Sequence, residues 1–175
     1  DDARMRALLH STLESTTDGI LTLDLAGNIV SYNQRYLELW GLGPEGVTGP
    51  LEARLSAALA QVRDAVAFLR RIEELGSTPD RSGHDVIEFR DGRVLERSTQ
   101  PHRLDGRIVG RVWSFRDVTE QRRTERALAE SEGRFRRMVP HVPGVIFQFY
   151  VRRDGSLWFT YLSEGCQALL GVEPQ

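Results

Sequence analysis

Two Asp-Gly pairs, Asp91-Gly92 and Asp105-Gly106, split the apolar runs Val86 to Phe89, Val94 to Leu95 and Ile108 to Phe115, and no other feature constrains the fold as tightly. Asp-Gly suits the positive backbone angles of a tight hairpin turn, so each pair folds the chain back on itself. Three consecutive antiparallel strands from Gly83 onward are expected. A further hairpin stands near the start, where Ile20 to Asp24 and Ile29 to Tyr32 flank the turn signal Ala26-Gly27-Asn28.

Helical spacing fills the remainder. Met5, Leu8, Leu9, Thr12 and Leu13 recur at three and four residues, which predicts a short amphipathic helix ending before Asp18-Gly19. Asn33 precedes Tyr36, Leu37 and Trp40 and can cap a helix with its side-chain oxygen, and Gly41 and Gly43 stop that helix. Residues 44–50 read as loop. Residues 51–75 carry Leu55, Leu59, Val62, Val66, Leu69 and Ile72 at helical spacing, enough for one or two helices.

After Asp117-Val118-Thr119-Glu120 a charged stretch follows, with Thr124, Leu128, Ser131, Phe135 and Met138 alternating by four and three. This predicts a helix of about 20 residues, on the order of 30 Å long. Its seam is weak, because Thr124 and Ser131 pack poorly and Gly133 costs about 1 kcal/mol relative to alanine. A parallel homodimer is expected, with contacts from Leu128 and Phe135 supplemented by Leu8, Leu9 and Leu13 of the first helix.

The segment beyond this helix repeats the start of the chain in outline. Gly144 to Phe147, Asp154-Gly155, Leu157 to Tyr161 and Leu169-Leu170-Gly171-Val172 match Gly19-Ile20-Leu21, Ala26-Gly27-Asn28, Ile29 to Tyr32 and Leu39-Trp40-Gly41-Leu42. A repeat at this distance means tandem domains. The second copy reaches only its first helix by Gln175, so with its strand edge open it is expected to be poorly packed or to pair with another chain.

At 175 residues the chain accommodates one ordinary domain and part of another. Hydrophobic residues make up 40% and charged residues 27%, a globular composition with no apolar run long enough to cross a bilayer. Asp1-Asp2-Ala3-Arg4 lacks the order of a signal peptide, and the single cysteine, Cys166, excludes an intramolecular disulfide. A cytoplasmic location is expected, with a membrane anchor elsewhere in the parent protein left open. All 23 basic side chains are arginine, yet the net charge of −2 argues against nucleic acid as a partner. The arginine excess reads as a composition bias, with a set of anion-binding forks as the functional alternative.

Strand–strand–helices–three strands, followed by Asp-x-Thr and a charged helix, resembles the PAS domain family. The residues that carry the resemblance are Asp18-Gly19-Ile20 through Asp24, Asn28-Ile29-Val30, Asn33, Gly110-Arg111-Val112-Trp113 and Asp117-Val118-Thr119. The helix from Glu120 to Arg136 resembles the connector between tandem PAS domains in sensor histidine kinases and diguanylate cyclases. The resemblance implies an α+β fold, a five-stranded antiparallel sheet in the order 2-1-5-4-3 with flanking helices. It also implies a division into an N-terminal helix (1–17), a PAS domain (18–119), a helical linker (120–138) and the N-terminal part of a second PAS domain (139–175).

No nucleophile elbow, P-loop or cysteine cluster occurs, and His10, His84, His102 and His141 are scattered singly, so neither catalytic nor metal-ligating residues are expected. Flavin-binding members of the family carry a reactive cysteine in a Gly-x-Asn-Cys setting. The first domain has no cysteine, and Cys166 lies in Glu164-Gly165-Cys166-Gln167 and reads as a small buried residue. Haem-binding members use a histidine on the helix before the third strand, and Asp64 to Leu75 has none, which disfavours haem; His84 is the one substitute nearby.

Alternation places Val109, Arg111, Trp113 and Phe115 on one face of the last strand, and the resemblance turns that face toward the pocket. Pocket candidates are Tyr36, Trp40, Phe68, Ile72, Phe89, Trp113 and Phe115, with plain core the alternative for Trp113 and Phe115. Asp117 and Thr119 belong to the family's signalling junction, as a simple cap or as a relay into the helix. The expected function is a sensory and dimerising relay acting on a C-terminal effector domain, kinase or cyclase, with a receptor for a small-molecule ligand as the alternative.

Overall fold

The computed structural model describes residues 2–138, 144–163 and 165–171. They fall into two compact units, Asp1–Arg122 and Arg123–Gln175.

The first unit runs α1 (Asp2–Glu14), β1 (Gly19–Asp24), β2 (Ile29–Tyr32), α2 (Gln34–Trp40), a 3-10 turn (Pro44–Val47), α3 (Leu51–Gln61), α4 (Ala65–Ser77), β3 (Gly83–Glu88), β4 (Val94–Leu104) and β5 (Arg107–Asp117). The strands form one antiparallel sheet in the order β2-β1-β5-β4-β3, the order the resemblance implies. In the second Asp-Gly turn both residues adopt the left-handed backbone, with φ of 48° at Asp105 and 77° at Gly106, whereas in the first the glycine does so, with φ of 89° at Gly92.

The three strands from Gly83 and the two helices of residues 51–77 form as expected, but two of them depart from the apolar pattern that marks them. The apolar run Val94 to Leu95 is only the start of β4, which continues to Leu104. Its inward positions after Leu95 are Arg97 and Thr99, both buried, so a search for apolar alternation loses the strand where its polar residues turn inward. In the middle region, the stripe from Leu55 to Ile72 does not form one face. α3 ends at Gln61, and Asp64 caps α4 by accepting from the Ala67 amide at 2.9 Å, which resets the helical phase. Val62 falls between the helices and bridges to Phe89, Val66 faces solvent, and the inward residues of α4 are Phe68, Ile72 and Leu75.

The core lies between the inner face of the sheet and α2, α3 and α4. Leu21, Leu39, Trp40, Val62, Phe68, Leu75, Ile87, Phe89, Leu95, Trp113 and Phe115 form its buried cluster. Gly19 lets α2 settle onto β1, because a Cβ there would come within 2.9 Å of both the Tyr36 Cα and the Leu39 Cδ1.

α5 (Thr119–Met138) leaves β5 after Val118 and is 20 residues long, as its periodicity predicts. In the second unit, β6 (Phe147–Val151) and β7 (Leu157–Leu162) form a two-stranded antiparallel ribbon, followed by α6 (Gly165–Leu170). Ring contacts at 5.8–6.1 Å link Phe147, Phe149 and Phe159 along it. His141 and Val172 lie outside the described residues, as do the side chains of Leu9, Met138, Leu169 and Leu170.

Candidate functional site

Helices α2, α3 and α4 bridge the inner face of the sheet without filling it, and a cavity of about 110 Å³ remains. Tyr36 and Trp40 reach it from α2, Phe68 and Ile72 from α4, and Trp113 and Phe115 from β5. These six sequence-derived candidates therefore meet around one space. Phe89 does not line it; it is buried beyond Trp40, with ring centroids 5.1 Å apart. Trp40 also meets Phe68 at 6.1 Å and Phe115 at 5.5 Å, both edge-on, so the aromatic wall holds its rings in mutually favourable orientations.

Sequence reasoning missed the polar members of this wall, Arg54 and Gln61 of α3 and Arg97 of β4. Arg97 is 2% exposed and grips Asp85 through both Nε, at 2.8 Å, and Nη2, at 2.5 Å. Its guanidinium also stacks 4.9 Å from the Phe68 ring centroid and 5.3 Å from that of Trp113, so a buried charge is both paired and covered by π faces. The signal was present in the period of two, Leu95-Arg97-Thr99, against the habit of turning arginine outward. Arg111, the next inward arginine, donates to the Thr78 carbonyl at 2.6 Å, and burial lowers its pKa while the Asp80 charge opposes that shift. Burial also pushes the Tyr36 phenol up to about 12 against the pull of Arg54, so it stays a protonated donor.

A second candidate site joins the sheet to α5. Thr119 opens the helix, and its hydroxyl donates to the Asp117 carboxylate at 2.5 Å while accepting from the Val94 amide at 3.0 Å. The Val118 amide donates to the Val94 carbonyl at 3.0 Å, and the Asp117 carboxylate also takes the Thr119 amide at 2.9 Å. The junction is thus more than a cap, since its bonds cross to the first residue of β4.

Asn33 caps α2 by accepting from the Tyr36 amide at 3.0 Å. Fully buried, it also accepts from the Ile20 amide and donates to the Leu13 and Asp18 carbonyls, tying together the end of α1, both strands of the hairpin and α2. Of the dimer candidates, Leu8 and Leu128 are exposed and Leu13 is half-buried. Phe135 is partly covered by Tyr161, its ring centroid 5.7 Å away. Cys166 is buried.

Among the described residues, no group of three or more His, Cys, Asp or Glu could hold a metal ion, and no helix is long and apolar enough to cross a membrane.

No curated protein matches the chain. Among solved structures, the PAS domain of BvgS from Bordetella pertussis is 19% identical, with a TM-score of 0.50 over 74% of this chain and 98% of that one. An RNA-binding light-oxygen-voltage receptor is 18% identical, with a TM-score of 0.54 over 76% of this chain and 38% of that one. The sensor region of a sensor histidine kinase is 23% identical, with a TM-score of 0.46 over 59% of this chain. This chain spans only 40% of that sensor region's length. The first two show a shared fold, and a family model described as PAS fold matches residues 13–123, well over half of the sequence. With its sheet order, its covering helices and this match, the chain belongs to the PAS fold family.

Proposed function

We propose that this chain is a sensory relay: the core of the first unit changes state, and α5 carries the change toward a C-terminal effector, a histidine kinase or a diguanylate cyclase. The observation that carries this reading is the bond from the Val94 amide to the Thr119 hydroxyl. It couples the first turn of α5 to β4, the strand that also brings Arg97 to the cavity. A module of this kind is non-catalytic. Its output is a bias between helix arrangements, and small free-energy differences suffice for that.

Hydrogen exchange tests the relay. Ile72→Ala, on the cavity wall and away from the junction, should speed amide exchange over residues 119–130. The same substitution in an Asp117→Ala, Thr119→Ala background should leave that exchange nearly unchanged. Unaltered exchange in α5 with Ile72→Ala alone rules the relay out.

A parallel homodimer through Leu128, Phe135 and the α1 residues Leu8, Leu9 and Leu13 extends this reading. Light scattering at roughly 100 μM should report a dimer, and Leu128→Asp with Phe135→Asp should dissociate it. Residues 139–175 belong in it as the opening of a second PAS domain, 120–138 as the linker, and the cytoplasm as the compartment.

A second reading, a receptor for a small molecule, is favoured by the cavity itself. A space of about 110 Å³ suits a compact guest.

A further inference from the structure

We propose that the cavity takes a small organic acid, with a compact apolar body and one carboxylate held by Arg54. The proposal rests on the receptor reading above and adds the chemical class of the guest. Size sets the body. An apolar cavity of about 150 Å³ admits benzene, so about 110 Å³ suits a chain of about four or five carbons.

Charge sets the head group. Among the described residues, no aspartate or glutamate lines the cavity, whereas two arginines do. Arg97 is neutralised by Asp85, which stands outside the lining. Among the described residues Arg54 has no ion pair, and its one side-chain hydrogen bond runs from Nη2 to the Gly27 carbonyl at 2.7 Å. Three donors of the wall also go unpaired. Arg54 Nε, Trp40 Nε1 and Trp113 Nε1 are buried N–H groups without a partner among the described residues. Unpaired buried donors are costly, and the half-buried Arg54 guanidinium stands beside an apolar space with part of its charge still open to water, so a guest that brings acceptor oxygens and a negative charge satisfies the first and pairs with the second. A neutral hydrocarbon offsets neither, and a cation adds to the repulsion. The protonated Tyr36 hydroxyl, within the field of Arg54, supplies a further donor. Because the three N–H groups are covered, a carboxylate first meets the rest of the Arg54 fork and reaches them by displacing lining side chains.

Titration of the whole chain with valerate, 1-pentanol and pentylamine separates head-group recognition from apolar filling. Valerate should bind at least about tenfold more tightly than 1-pentanol, and pentylamine should not bind. The indole N–H signals of Trp40 and Trp113 should shift with valerate while that of Trp158, on β7, stays in place. Arg54→Met should bring valerate down to the affinity of 1-pentanol, and Arg54→Lys should restore part of the difference. Equal binding of acid and alcohol by the unaltered chain overturns the acid class and leaves the receptor reading standing. No binding of any probe up to about 10 mM, where a Kd of millimolar order is saturated, overturns both. Valerate binding that survives Arg54→Met unchanged removes Arg54 as the anchor.

Discussion

The hairpins β1–β2 and β6–β7 are closed by the same device and end in opposite environments. In the first, the Asn33 amide donates to the Ile20 carbonyl while the Asn33 side chain accepts from the Ile20 amide. In the second, the Ser163 amide donates to the Ile146 carbonyl and the Ser163 hydroxyl accepts from the Ile146 amide. Both clasping residues are buried. Yet β1 is paired on both sides and covered by α2, so Leu21 is buried, whereas Phe147 and Trp158 of the second ribbon are 53% and 51% exposed. A hairpin can thus form its local bonds without forming a core. The clasp is a property of a few residues, and burial is a property of what lies across the sheet.

The contrast can be broken most directly at matched aromatic positions. Phe115→Ala, which empties a fully covered site between Tyr36 and Trp40, should cost about 4 kcal/mol in chemical denaturation of the first unit. Asn33→Ala should come next, at about 3 kcal/mol, because it leaves several buried partners unsatisfied rather than removing one helix cap; a loss near 1 kcal/mol would return it to a simple cap. Ser163→Ala removes the matching clasp where little packing supports it. About 1 kcal/mol is expected there, read as faster exchange of the Ile146 amide with no change in the first unit's denaturation midpoint. Phe149→Ala should cost less than about 0.5 kcal/mol, as for an exposed side chain. A cost near that of Phe115→Ala would show that the ribbon's aromatic face is covered in solution.

The candidate site was legible in the sequence where its residues obey simple rules. Tyr36, Trp40, Phe68, Ile72, Trp113 and Phe115 are large and apolar at inward positions of a helix or strand, and all six reach the cavity wall. Arg54 and Arg97 reach it too, and hydropathy alone assigns both to solvent. The pairing of Arg97 with Asp85 needs β3 and β4 side by side in register, and the bond of Arg54 to Gly27 needs α3 laid over the first turn. Neither neighbour is near in the chain.

By itself the sequence determined the order of the elements, the two Asp-Gly turns, the capping asparagine and the length of α5, because backbone preferences act over a few consecutive residues. Tertiary structure alone decided that Arg97 and Thr99 turn inward, that Val66 faces outward, and that a cavity with unpaired donors in its wall remains between α3 and the sheet. Whether a side chain is covered, paired or left with an empty space beside it depends on surfaces brought together from distant parts of the chain, and no local pattern encodes that meeting.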